Sequence, residues 1–176
     1  MVANSRQIRS WQTTNALTDL IQSLFVASLL HRCNELWMVS PWISDIAVLE
    51  NGAGEFRSLV PDWERVPIRL SQFLVYLAEH QCNVYVVTRP SQHNQVFLQI
   101  LQDRLPKRGS LVNIRHSPLV HEKGLLASDL FFLSGSFNFT FYGVSLNEEV
   151  AYLYTDPETI AMNRVVFYDR WERDDL

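Results

Sequence analysis

The sequence predicts an α/β fold, a mixed β-sheet flanked by helices on both faces. Three observations predict it. Short continuous apolar runs, such as ELWMVSPWI at 35–43 and CNVYVVTRP at 82–90, alternate with segments of helical period through the first part of the chain. Strand-like runs then cluster towards the C-terminus, which turns a parallel sheet into a mixed one. The chain is 47% hydrophobic and 19% charged, the make-up of an ordinary globular protein, and its 176 residues suit one domain spanning 1–176.

The elements follow in order. NALTDLIQSLFVASLLHRC at 15–33 spaces its apolar residues as an amphipathic helix does. The run at 35–43 is a buried strand that leaves the sheet through SPWISD. Residues 44–67 hold Gly52, Gly54, Pro61 and Pro67 and read as a long loop, which compact domains tend to keep for function. IRLSQFLVYLAEHQ at 68–81 is a second helix, and 82–90 is a second buried strand stopped by Pro90. SQHNQVFLQILQDRL at 91–105 is a helix capped by Ser91, with His93 and Asn94 in its first turn. SLVNIRHS at 110–117 is a strand. VHEKGLLAS and LFFLSGS form a hairpin turning near Ser128 and Asp129. NFTFYGVS is a short helix and NEEVAYLYT a strand. DPETIAMNRVVFYDRWERD is the final helix, with Asp156 as N-cap and Pro157 as its first residue. The N-terminal MVANSRQIRSWQTTN is polar, has no signal-peptide core and is assigned no element.

The net charge of −4 excludes a general nucleic-acid glue, so any contact with nucleic acid must come from a local patch. Cys33 and Cys82 are far apart in sequence and suggest neither a disulfide framework nor a Cys-rich metal site. The apolar run LFVASLL at 24–30 is too short to cross a bilayer. A reduced, cytoplasmic protein with no membrane association is expected. Among 15 basic residues only Lys107 and Lys123 are lysines, so a lysine inside a motif marks a place where a compact ammonium is wanted.

Chemistry concentrates at VHEKGLLASDLFFLSGSFNFT, residues 120–140. His121 and Lys123 are two apart and share a face if the segment is a strand; Ser136 and Asn138 are also two apart, after Gly135, where the backbone can bend closely. Two adjacent strands would bring these four groups together, and Glu149 on the next strand could join them. The set suits phosphoryl transfer. Histidine can attack phosphorus and form a covalent intermediate, Lys and Asn can hold phosphoryl oxygens, and a carboxylate on Nδ1 leaves Nε2 as the free lone pair. Arg89, at a strand end, is a candidate phosphate-binding residue. No cluster of carboxylates, His or Cys stands nearby to hold a metal, so metal-independent chemistry without a cofactor is expected. Trp37, Trp42, Phe139, Phe141 and Tyr142 read as core or interface residues rather than base-stacking ones.

HEKGLLAS…GSFN resembles the HxK…GSxN motif of the phospholipase D superfamily, and GSFNFT…NEEVAYLY…FYDRW is similar to its small single-motif bacterial endonucleases. The resemblance runs from about Leu36 onward. It implies functional roles for His121, Lys123, Ser136 and Asn138, and a contact of Glu149 with His121. It also implies one half of a two-lobed architecture. Two motifs make one active site in that family, so a two-fold homodimer is implied, with interface residues such as Phe139 and Tyr142. One departure stands out. The family has an Asp five residues after the Lys, of mainly structural use, where this chain has Ser128 followed by Asp129. SPWISD, NGAGEF and VVTRPSQHN are similar to segments of phospholipase D-like proteins from bacterial clusters that put 7-deazaguanine bases into DNA. The implied activity is a phosphodiesterase, a nuclease on DNA, in a restriction or defence setting with other restriction proteins as partners. The alternatives are a non-catalytic DNA-binding or scaffold subunit, and a phosphodiesterase on lipid; the lack of a membrane-binding amphipathic surface counts against the last.

Overall fold

The computed structural model describes residues 5–12, 15–106 and 109–172. Seven strands form one mixed sheet: β1 (Ser5–Arg9), β2 (Glu35–Val39), β5 (Asn83–Thr88), β6 (Val112–His116), β7 (Gly124–Ala127), β8 (Phe131–Gly135) and β9 (Val150–Tyr154), in the order β1-β9-β8-β7-β2-β5-β6. β3 (Ala47–Leu49) and β4 (Ile68–Arg69) make a separate two-stranded ribbon. β2, β5 and β6 run parallel, and every other neighbour in the large sheet is antiparallel.

The buried strands alternate between two cores, which is why their sequences are apolar throughout. Leu36, Met38, Val84 and Val86 face a core shared with α1 (Ala16–Leu30), α2 (Leu70–Glu79) and α3 (Gln92–Arg104). Trp37, Val39, Tyr85 and Val87 face a smaller core closed by Ile160 and Phe167 of α4 (Pro157–Trp171). There the Trp37 and Tyr85 rings stack 4.0 Å apart. Helices on both faces, as expected, thus follow from two apolar faces needing cover. At the foot of the second core, the carboxylate of buried Glu35 accepts bonds from Arg164 Nε at 2.7 Å, Arg164 at 2.9 Å, Trp37 Nε1 at 2.9 Å and the Tyr168 hydroxyl. Burial pushes this carboxyl up. The bonds from Arg164, Tyr168 and Trp37 outweigh that and hold it below the usual carboxylate range.

Four readings need correction. The polar N-terminal stretch contains β1, an edge strand in antiparallel register with β9. The 44–67 loop contains β3, and Ile68 and Arg69 belong to β4 rather than to the helix that follows. Ser91 stands at the N-cap of α3, but its hydroxyl makes no cap bond and is buried without a hydrogen-bond partner among the described residues. Phe139 is fully buried, packed edge-on against Phe137 at 5.4 Å, so it contributes to the core and not to an outer interface. The hairpin turns where expected, with Asp129 at a φ of 66°, a conformation Asp tolerates. Asp156 caps α4, accepting from Thr159 N at 2.8 Å. Among the described residues no helix is long and apolar enough to cross a membrane.

Candidate active site

Strand direction decides where the motif residues meet. β2, β5, β6 and β8 end at the same edge of the sheet at which β7 and β9 begin, and β1 ends there too. His121 and Lys123 lead into β7, Ser136 and Asn138 follow β8, Glu149 leads into β9 and Arg89 follows β5. All six expected residues therefore gather on one edge.

Lys123 is buried, and its ammonium donates to the His121 carbonyl at 2.6 Å. The strand pairing of the motif thus extends one residue past β7, where Gly135 N donates to the Lys123 carbonyl at 3.3 Å. Burial pushes the Lys123 pKa below the ordinary lysine value, Glu149 opposes the shift, and Arg89 adds to it. Lys123 therefore feels both a carboxylate and a guanidinium of the same edge. Arg89 donates through Nε to the Val120 carbonyl at 2.5 Å, which holds it beside His121. The His121 side chain is exposed and no described residue hydrogen-bonds its ring. Its imidazole is open to an incoming group.

On the other half of the edge, Gly135 is required by close approach. A Cβ there would lie 2.2 Å from the Val150 carbonyl. Ser136 N bonds the Val150 carbonyl at 3.0 Å and the Ser136 hydroxyl accepts from Val150 N at 3.1 Å. That hydroxyl donates to the Glu149 carboxylate, which also accepts from Asn147 Nδ2 at 3.3 Å. The expected contact between Glu149 and His121 is not made; Glu149 is turned to Ser136 instead. Glu148 is exposed, so of the two adjacent acids Glu149 is the one drawn into the cluster. Asn138 is held by its backbone: Thr140 N donates to its carbonyl at 2.8 Å, and Gly143 passes so close that a Cβ would meet that carbonyl at 2.3 Å. Gly143 belongs to the wide helical turn Tyr142–Leu146 expected there as a short helix. Asn138 Oδ1 lies 3.4 Å from the Ser40 hydroxyl.

Two residues hold the site in place, Asn94, expected only in the first turn of a helix, and Ser10, which the sequence reading passed over. Asn94 is fully buried and bonds Pro41 O at 2.9 Å, Ile43 N at 2.9 Å, Thr88 Oγ1 at 2.8 Å and Arg89 O at 2.8 Å. It is a clamp between the exits of β2 and β5, not a substrate group. Ser10, just after β1, accepts from Glu149 N at 2.7 Å and so fixes the backbone of the acid. The signal for Asn94 was an amide one turn into an otherwise apolar-faced helix; for Ser10 there was none. Ser128, at the position of the family Asp, is not at the site. It sits at the far end of β7, about 16 Å away along the strand, with its N–H on the Glu35 carbonyl at 3.0 Å. Lys107 lies outside the described residues. Among the described residues no group of three or more His, Cys, Asp or Glu could hold a metal ion.

Residues 58–171 match the family described as "Cardiolipin synthase, PLD-like domain". No curated protein matches the chain. In fold the chain is similar to Nuc, a phospholipase D family member from Salmonella typhimurium. That match has a TM-score of 0.61 and 13% identity, over 96% of this chain and 94% of that one. NucT from Helicobacter pylori is similar at a TM-score of 0.54 and 12% identity, over 94% and 93%. TrmBL2, an archaeal chromatin protein described with a novel mode of DNA binding, is similar at 0.54 and 11%, over 98% of this chain and 54% of that one.

Proposed function

The chain belongs to the PLD-like domain family, and from that premise we propose that it is a phosphodiesterase that cuts nucleic acid, DNA foremost, through a phosphohistidine on His121. The observation that carries this reading is the gathering of an unengaged imidazole, a buried ammonium, a guanidinium, an amide and a carboxylate on one sheet edge.

In the proposed first step His121 Nε2 attacks phosphorus, a P–N bond forms and a P–O bond breaks. His121 of the partner subunit protonates the leaving oxygen as general acid. Lys123, Arg89 and Asn138 hold the non-bridging oxygens, where donors fixed in a partly desolvated place are worth most. Water then attacks the phosphohistidine, its proton passing to the imidazole of the partner subunit, and His121 is released. Imidazole supplies both nucleophile and acid, so no metal is needed. One chain supplies one His121, so the unit is a two-fold homodimer whose sheet edges meet. Tyr142 and Leu146 of the wide helical turn, Phe141 at its N-cap and Leu119 before β7 are 67%, 59%, 58% and 75% exposed at this edge, which supports an interface there. Glu149, released from Ser136, orients His121 in the assembled site.

The finer setting is restriction or defence, alongside proteins that install or read 7-deazaguanine bases. The sequence segments at the exits of β2 and β5 support it. A second reading, a DNA-binding or scaffold subunit without turnover, draws on the missing contact between Glu149 and His121. One assay decides: hydrolysis of bis(p-nitrophenyl) phosphate and nicking of supercoiled DNA in excess EDTA, wild type beside His121→Ala. Turnover that survives EDTA and vanishes in the variant is expected. Turnover that depends wholly on added Mg²⁺ or Mn²⁺ sinks the phosphohistidine, and no turnover with intact DNA binding favours the scaffold. Comparing modified and unmodified plasmid tests the setting.

A further inference from the structure

Resting on the nuclease reading, we propose that Trp42 and Trp11 are base-stacking platforms that hold a nucleic-acid strand on either side of the scissile phosphodiester. Trp42 is 42% exposed and Trp11 49%, whereas Trp37 is fully buried. Each exposed indole has a guanidinium over one face: Arg89 is 5.8 Å from the Trp42 ring centre and Arg9 is 6.0 Å from that of Trp11. A partly exposed indole with a cation over one face is the pairing that binds single strands without regard to sequence. The base stacks and the neighbouring phosphate meets the charge.

Both platforms belong to the site edge. Trp42 follows β2, next to β7, and Trp11 follows β1, three strands away on the other side. At about 4.8 Å between strands they bracket His121 and Lys123 across roughly 19 Å. Both are braced from behind. Asn94 holds the carbonyl before Trp42 and the N–H after it, and the Ser40 hydroxyl donates to the Trp42 carbonyl at 2.9 Å. Trp11 follows Ser10, whose hydroxyl donates to the Asn147 carbonyl at 2.9 Å. Rigid aromatic platforms lose little entropy on binding.

The test uses His121→Asn protein and a single-stranded deoxyoligonucleotide, read by tryptophan fluorescence quenching and by anisotropy. Trp42→Ala and Trp11→Ala should each weaken binding roughly 5- to 100-fold. An abasic strand should bind wild-type platforms correspondingly weakly and the double variant no worse than a normal strand does. Unchanged oligonucleotide affinity, or equal affinity for abasic and normal strands, overturns the proposal. So does loss of dimerisation in the Trp variants with undiminished strand binding. A wild-type protein that binds strands through the indoles yet hydrolyses no diester would remove the catalytic reading and leave the platforms standing.

At the opposite edge of the sheet, we infer that Cys33 and Cys82 form an oxidation site that closes to a disulfide on reaction with a hydroperoxide. They are far apart in sequence, yet their Sγ atoms are 3.3 Å apart. The cause is register. Cys82 immediately precedes β5 and Cys33 lies two residues before β2, and since Glu35 pairs with Asn83 in these parallel strands the two cysteines are diagonal neighbours one position out of step. Neighbouring strands about 4.8 Å apart give the backbone separation a disulfide requires. Both thiols line one cavity of about 630 Å³ with Arg32, Tyr76 and His80, which gives a small oxidant its path. The two sulfurs share one hydrogen bond in which either can donate, and that bond holds the Cys33 thiol below its ordinary pKa while pushing Cys82 up. Cys33 is thus the attacking sulfur.

The Cys33 thiolate attacks a peroxide oxygen; an S–O bond forms, the O–O bond breaks, and the far oxygen leaves as water or alcohol. Cys82 then attacks the sulfenic sulfur, the S–S bond forms, and water leaves with the Cys82 proton. The bridge ties the feet of β2 and β5, away from His121. Treatment with hydrogen peroxide should abolish both titratable thiols, lower the intact mass by two hydrogen atoms and raise Tm by roughly 5–10 °C, reversed by dithiothreitol. Cys82→Ser should lose the Tm shift. Gain of oxygen mass, cross-linked chains, or two thiols persisting after peroxide would each overturn this.

Discussion

Lys123 shows what a single residue at this site costs the fold. Its ammonium is buried with one hydrogen bond, to the His121 carbonyl, and its pKa is pushed down by burial. A cation whose folded pKa is lowered penalises folding in full below that folded pKa, and the penalty fades as pH rises towards the unfolded lysine value. Lys123→Met should therefore raise stability by roughly 1 kcal/mol at neutral pH while abolishing diester hydrolysis. Urea unfolding beside a rate assay checks both halves, and a less stable Met variant would show that the ammonium is structural. Glu149 gives a second expectation. If it moves from Ser136 to orient His121, Glu149→Gln should keep the fold and lose roughly 10²-fold in rate, and Ser136→Ala should lose much less. Equal losses in kcat would make the bond between Ser136 and Glu149 itself the working arrangement. The motif residues were legible by their spacing, but not as one strand face: His121 and Lys123 lie just before β7 and Ser136 and Asn138 just after β8, with His121 exposed and Lys123 buried. The roles of Asn94 and Ser10 were not legible, since their bonds span 51 and 139 positions and local spacing carries no trace of them.

Elements with an apolar period were legible. α1, α3, α4 and the hairpin of β7 and β8 stand where the sequence put them, because each buries one face on the sheet. β1 escaped notice because it is an edge strand of alternating polar residues, SRQIR, whose only partly buried side chain is that of Ile8. β3 and β4 escaped because three- and two-residue strands are too short to show alternation among prolines and glycines. The placement of α4 rests on the Glu35 carboxylate, a partner invisible from the helix sequence. Arg164 is half-exposed and can be hydrated when alone, but Glu35 cannot. Arg164→Leu should therefore cost about 2 kcal/mol, more than Glu35→Gln does. Because Glu35 has a depressed folded pKa, its contribution is present above the unfolded carboxylate value of about 4.3 and is lost as pH falls through the folded value. Denaturant titrations at several pH values should show this acid-limb loss in wild type and a flatter one in Arg164→Leu. An identical acid limb would mean that Trp37 and Tyr168 alone hold the charge.

At the scale of the whole molecule, the proposed mechanism needs two copies. A single imidazole cannot be nucleophile and general acid in one step, so light scattering should report a dimer. Mixing wild type with His121→Ala should give heterodimers severely impaired at every site, since each lacks one imidazole. Half the wild-type activity in those heterodimers, or full turnover by a monomer, would refute the arrangement. β1 adds a different kind of constraint. It is the first strand of the sheet and it pairs with the last, and through Ser10 it seats the backbone of Glu149, 139 residues further along. A ribosome adding roughly 5–20 residues per second delivers that partner about 7 to 28 s later. Until then β1 has no strand to pair with, and once His121 and Lys123 have been made they stand on an edge that still lacks its acid. The proposed cutting activity would therefore arrive only when β9 closes the sheet against β1.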